Sequence, residues 1–185
     1  MLTIENADVL QRLANTAERL SYSADWNPTQ LGDSEMHIAR DGRWYHQGSL
    51  IERSTLVQLF SRLLRCEGDQ YFLVTPVEKL TIEVEDAPFV SVEVKAQDEE
   101  GQQVLYVTTN LGDTVQISAE HPLHVETDPD TQEPSPYVSI GSNLAVLLQR
   151  SDFYLLVNSA QERIVDGQKV LGVCSKGEFD PLGML

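Results

Sequence analysis

The sequence predicts an α+β protein of two related domains, and three observations predict it. Helical and strand periodicities fall in separate stretches instead of alternating strictly, which favours α+β over a doubly wound sheet. The strands are short, alternate apolar with polar residues and are joined by tight polar turns, as in antiparallel sheets. One pattern also recurs: an aromatic strand, a turn, an apolar helix and a Tyr-led strand. Trp44-Tyr45 leads through Leu56 to Leu64 into Tyr71-Phe72-Leu73-Val74-Thr75; Pro136-Tyr137-Val138 leads through Leu144 to Leu148 into Tyr154-Leu155-Leu156-Val157-Asn158. Each domain is expected to carry an antiparallel sheet with one covering helix. Residues 1–86 form the first and 87–185 the second, and the seam between two related units is a default place for a ligand.

The first element is an amphipathic helix capped by Asn6 or Thr3, with Val9, Leu10, Leu13, Ala17 and Leu20 on one stripe. Residues 21–34 read as a surface connection. Met36 to Ala39 and Trp44 to His46 then form a hairpin about Arg40-Asp41-Gly42-Arg43, since Asp-Gly is a strong turn signal. Ser54 or Glu52 opens a helix carrying Leu56, Leu59, Phe60, Leu63 and Leu64, which Glu67-Gly68-Asp69 ends. From Tyr71 the period changes to two, with Leu80, Ile82 and Val84 opposite Thr81, Glu83 and Glu85. Asp86-Ala87-Pro88 breaks this strand. A meander follows through Phe89 to Val94, Val104 to Thr108 and Thr114 to Ser118, with turns at Asp98-Glu99-Glu100-Gly101 and Asn110-Leu111-Gly112-Asp113. Residues 128–136 form a polar loop, the second copy of the pattern comes next, and Ile164 to Val170 closes the chain as a hairpin about Asp166-Gly167.

At 185 residues, 41% hydrophobic and 23% charged, the chain is long enough to bury a core without staples. Its longest apolar runs are a few residues, and the first residues lack the basic start and apolar stretch of a signal peptide, so a cytoplasmic location is expected. A net charge of −16 argues against duplex nucleic acid and anionic membrane surfaces as partners. Five arginines nevertheless cluster between Arg40 and Arg65, so a surface that receives a small anion is expected in the first half. Arg62 and Arg65 themselves suit the C-terminal turn of their helix, where the dipole favours cations. Cys66 and Cys174 have no CxxC spacing and read as buried thiols, with neither a disulfide framework nor a zinc site.

Few constellations carry chemistry. His121 and His124 would share a helix face, but Pro122 and Val125 argue for extended chain, where odd spacing sends them to opposite faces; no metal is expected there. Asp128, Asp130 and Gln132 imitate a calcium loop whose sixth and twelfth positions are Glu133 and Ser139, which cannot serve. Glu78, in Thr75-Pro76-Val77-Glu78-Lys79, could act as a general base only with a positioned partner, and none is legible. Trp44, His46 and Arg53 form the group of most interest. Trp44 and His46 share one strand face, and an indole with a guanidinium suits a planar anionic ligand.

Gly42-Arg43-Trp44-Tyr45-His46-Gln47-Gly48, Ile51-Glu52-Arg53, Leu59-Phe60-Ser61, Tyr71 to Lys79, Val84 to Val90, His121-Pro122-Leu123 and the closing Ser175 to Gly183 segment together resemble the bacterial domain-of-unknown-function family numbered twelve eighty-five. The chain departs from the family pattern at Leu50, His124 and Cys174. The resemblance implies a duplicated α+β architecture, a second half like a pleckstrin-homology barrel, a nucleotide-like ligand between the halves and a role in signalling. It implies no catalytic residues. The expected function is a non-enzymatic sensor or adaptor that uses no cofactor and works with a signalling partner. Trp44 would stack, Arg43 and Arg53 would meet charge, and His46, Thr75, Glu78, Asn110 and His121 would complete the polar contacts. A hydrolase or transferase using Glu78 or His121 as base, or a protein-interaction module, are the alternatives.

Overall fold

Gly42 sits at φ 82°, the left-handed corner that Asp41-Gly42 requires. Its N–H donates to the Ala39 carbonyl at 2.8 Å, and the Ala39 N–H to the Arg43 carbonyl at 2.9 Å. The strands on either side, β1 (Gln30–Ile38) and β2 (Trp44–His46), pair antiparallel, Ile38 opposite Trp44 and Met36 opposite His46. The hairpin opens the first of two units in a computed structural model that describes residues 9–15 and 26–184. The units divide between Asp86 and Ala87.

In the first unit, β3 (Ser49–Leu50) extends the hairpin, α2 (Ser54–Ser61) follows, and β4 (Leu64–Glu67), β5 (Gln70–Val74) and β6 (Glu78–Val84) complete a six-stranded sheet in the order β3-β2-β1-β6-β5-β4. Residues 9–15 are helical (α1). The expected caps Thr3 and Asn6, and Ala17 and Leu20, lie outside the described residues. Met36, Ile38, Trp44, His46, Leu64, Cys66, Leu73, Leu80 and Ile82 occupy one buried sheet face, as their cross-strand register requires. Leu13 and Ala14 of α1 and Val57 and Phe60 of α2 are also buried. Both helices read from the sequence thus have described residues buried in this domain, which the expectation of one covering helix per sheet did not allow for.

The structure corrects three readings here. Gln30 to Ser34 is part of β1 and not a connection, because it pairs with β6, Gln30 opposite Glu78. That pairing is parallel, which the expected all-antiparallel sheet omitted. The second helix also ends three residues early: Arg62 is its C-cap and Leu64 begins β4. Leu64 and Cys66 alternate onto the sheet face, and pairing with β5 satisfies a backbone that helical spacing alone would have coiled.

The second unit contains β7 (Phe89–Glu99), β8 (Gln102–Thr109), β9 (Thr114–Gln116), β10 (Leu123–Thr127), β11 (Pro134–Ser139), β12 (Ala145–Leu147), α3 (Arg150–Ser159), β13 (Gln161–Val165), β14 (Gln168–Ser175) and β15 (Glu178–Met184). Its six-stranded sheet runs β10-β11-β12-β7-β8-β9, and β13-β14-β15 forms a separate three-stranded sheet. Two of the repeat's elements are exchanged in the sequence reading. Leu144 to Leu148, expected as helix, contains strand β12, and Tyr154 to Asn158, expected as strand, lies in α3. A five-residue apolar run fits either state, and Gln149, extended before Arg150-Ser151-Asp152, starts the helix later.

The two six-stranded sheets nevertheless share one strand order. Each is a pair of three-stranded meanders joined through a central parallel pair of its first and last strands: β1 with β6, and β7 with β12. The first strand of each also bulges beside a buried serine. Ser34 Oγ donates to the Thr81 carbonyl at 2.6 Å and accepts the Met36 N–H at 3.2 Å. Ser91 precedes the bulge in β7, where Val92 is left exposed. Its Oγ donates to Asp152 at 2.5 Å and accepts the Gln149 N–H at 2.8 Å, joining the start of α3 to the sheet.

The protein is thus a two-domain, mostly sheet chain, with three helices among the described residues and open, antiparallel-rich sheets. Among the described residues, no helix is long and apolar enough to cross a membrane.

Candidate ligand-binding site

Strand β2 turns Trp44 and His46 to the same side and Tyr45 to the other, where Tyr45 stacks on His37 at 5.8 Å. Trp44 is 1% exposed and His46 5%. The indole is therefore packed within the domain core, not offered on an open surface. Yet among the described residues neither Trp44 Nε1 nor His46 Nε2 has a hydrogen-bond partner. Buried polar groups are nearly always paired, and leaving one unpaired costs about 1–3 kcal/mol. Two such nitrogens lie two residues apart on one face of β2.

The other predicted residues of the first unit are spread over different tasks. Arg43 is at the surface and bonds Asp41 through Nε at 2.6 Å, which holds the Asp41 carboxyl below the usual carboxylate range. Arg53 is the exposed residue before α2, and its carbonyl accepts the N–H groups of Leu56 and Val57. Thr75 is buried, and its hydroxyl closes the turn between β5 and β6: it donates to the Glu78 carbonyl and accepts the N–H groups of Val77 and Glu78. Glu78 is buried too, with Oε2 3.5 Å from Arg12. Trp44 and His46 are thus brought together on one strand face. Thr75 and Glu78 form a second group at the β5–β6 turn.

In the second unit, Asn110 is tied to β7: its Oδ1 accepts the Val90 N–H at 3.2 Å and its own N–H donates to the Val90 carbonyl. His121 Nδ1 bonds the Ser139 carbonyl at 3.2 Å and borders a cavity of about 510 Å³ with Gln116, Lys176 and Glu178. His124 stacks on Tyr137 at 5.6 Å. Among the described residues, no three of His, Cys, Asp and Glu come together as a cage for a metal ion. Both cysteines are free thiols, Cys66 buried and Cys174 half-buried with Arg163 Nη2 at 3.0 Å. Burial pushes the Cys66 thiol up, and burial with the neighbouring thiol does the same to the Tyr71 phenol.

Sequence reasoning missed two features. A cleft of about 1040 Å³ in the first unit is bordered by Asp33, Glu35, His37, Asp69, Glu83 and Glu85, a lining that repels anions. Its acids come from β1, from β6 and the residue after it, and from the β4–β5 turn, so only the pairing of β1, β6 and β5 could have assembled them. Asp180, in the second unit, is 7% exposed with one carboxylate oxygen unpaired, and burial pushes it up to about 6. Its neighbours are set by the fold of β14 and β15, which no local signal announced.

The N-terminal domain model of DUF1285, a domain of unknown function, matches residues 23–87, and the C-terminal domain model of the same family matches residues 88–182. The chain belongs to the DUF1285 family. It is similar to the crystal structure of a DUF1285 family protein from Silicibacter pomeroyi DSS-3, with 39% identity over 94% of this chain and 95% of that one, at a TM-score of 0.81. A second, from Shewanella baltica OS155, is 29% identical over 66% of this chain and 90% of that one, at a TM-score of 0.52. No curated protein matches the chain.

Proposed function

We propose that this member of the family is a cytoplasmic, non-enzymatic sensor or adaptor that binds a small anionic, nucleotide-like ligand on the Trp44–His46 face of its first domain. The pair of buried, unpartnered nitrogens carries the reading. An indole N–H is a donor only, so its natural complement is a carbonyl, carboxylate or phosphoryl oxygen, and His46 Nε2 can donate or accept beside it. A ligand that supplies these bonds removes an existing penalty in the protein, which adds to its affinity. Arg53 supplies positive charge; Arg43 already serves Asp41. The same proposal takes the two six-stranded sheets as copies of one duplicated unit, supported by their common strand order and bulged first strands, and the second domain as a pleckstrin-homology-like module that meets a signalling partner.

A thermal-shift screen of the full chain against nucleotides, cyclic and dinucleotide messengers and common metabolites tests this, because a ligand of the folded state raises the melting temperature. A saturable shift is expected. Trp44→Phe, which keeps an aromatic ring and removes the N–H, should weaken that ligand roughly tenfold, the equivalent of one hydrogen bond. Arg53→Ala should abolish the binding without unfolding the protein. Unchanged affinity in both variants would remove the site from this face, and no shift across the library would turn the search to a protein partner.

A further inference from the structure

The three-stranded sheet β13-β14-β15 is fastened to the six-stranded sheet of the second domain by two buried polar side chains. One is Ser175. It is fully enclosed, accepts the Leu105 N–H at 2.9 Å and donates to the Ile117 carbonyl at 2.5 Å, so its donor and one acceptor site are used. Around it, the Lys176 N–H donates to the Gln103 carbonyl and Gln103 Nε2 to the Cys174 carbonyl. This end of the joint is neutral and satisfied.

The other fastener is Asp180. It lies on β15 opposite Val173, packed between sheets where β15 lies against β10. Its carboxylate accepts the N–H of Leu123, the first residue of β10, while Oδ2 has no partner among the described residues. Leu123 also pairs with Val138 of β11, so Asp180 closes the outer edge of β10, the open side of the larger sheet. A buried carboxylate with an unpaired oxygen is costly when charged and much less so when protonated.

We infer that Asp180 is a proton-operated fastening: with its proton on, β15 is held closed over the edge of β10, and with its proton off, this joint is loosened while the Ser175 end holds. The proposal rests on the contrast between the two fasteners and on their shared position between the sheets. Neighbouring charges do not compensate Asp180. Glu178, on the same face of β15, pushes its carboxyl further up. On β10, His124 stands 3.7 Å from Glu126, and on β14 Lys169 bonds Glu162. Asp152 of α3, the helix packed against β14, is held by Ser91. The closed state raises the carboxyl from its ordinary 3.8 to about 6, so it binds the proton more tightly than the open state does. Closure is favoured at low pH, weakens as pH rises through that interval and changes no further above it.

Hydrogen exchange of the Leu123 amide in the full chain reads the joint. After correction for intrinsic exchange, protection at about pH 5 should exceed that at about pH 7.5 by on the order of tenfold. Asp180→Asn keeps an oxygen for the Leu123 N–H and removes the charge, so it should hold the acid level of protection at both values. Equal protection in the wild type at the two pH values, or an unchanged pH dependence in Asp180→Asn, overturns the proposal. Should that variant fail to fold, the carbon-detected titration of the Asp180 carboxyl in the wild type decides: a midpoint near 6 shared with the Leu123 amide shift supports it, and one in the ordinary carboxylate range overturns it.

Discussion

Ser91→Ala should destabilise the second domain by roughly 2–5 kcal/mol in urea denaturation. Ser91 is 1% exposed and Asp152 6%, so neither group can turn to water. Truncation leaves the Asp152 carboxylate without its donor and the Gln149 N–H without its acceptor. The arrangement resembles a capping box in which a serine from the sheet relays between the helix's own cap and first turn; α3 has no side-chain cap of its own. Replacing both partners by alanine should therefore cost less than Ser91→Ala with the charge left behind. A loss below about 0.5 kcal/mol for Ser91→Ala would mean that apolar packing, and not the relay, holds α3.

Gly172→Ala is expected to cost roughly 3 kcal/mol, through overlap instead of lost contacts. A methyl built on Gly172 stands 2.4 Å from Phe179 Cζ and 2.6 Å from the Asp180 carbonyl oxygen. The ring could swing only by leaving the Arg163 guanidinium, which lies over it at 4.6 Å, and the carbonyl belongs to the paired backbone of β15. Gly183→Ala, with nothing within 4 Å of the added methyl, is the matched control and should be close to neutral. If the two variants melt together, β15 adjusts freely and the bulge between Leu171 and Gly172 does not depend on the missing side chain.

Much of the first domain was legible because its signals are local. Asp41-Gly42 gave the hairpin, and the alternation of Leu80 and Ile82 gave the buried face of β6. The second domain was less so because its decisive signals are not. Leu144 to Leu148 is compatible with helix or strand until β7 and β11 offer it backbone partners on both sides. Strand β15 carries Pro181 and Gly183, which argue against a strand, and is tolerated because it lies at a sheet edge. At the site, period two placed Trp44 and His46 on one face correctly, but no pattern shows that their nitrogens lie buried without partners. The same holds for Asp180: sequence shows an acidic residue beside a proline, and only the packing of β15 on β10 makes it a buried carboxyl.

The central parallel pairs set the order of events when each six-stranded sheet assembles. Meanders close between neighbours in sequence and form early, whereas Gln30 must find Glu78, and Phe89 must find Val146, across most of its sheet's length of chain. The seam between meanders is thus the late, rate-limiting closure in each domain. Trimming Leu64, which pairs only within the β4-β5-β6 meander, should therefore slow refolding.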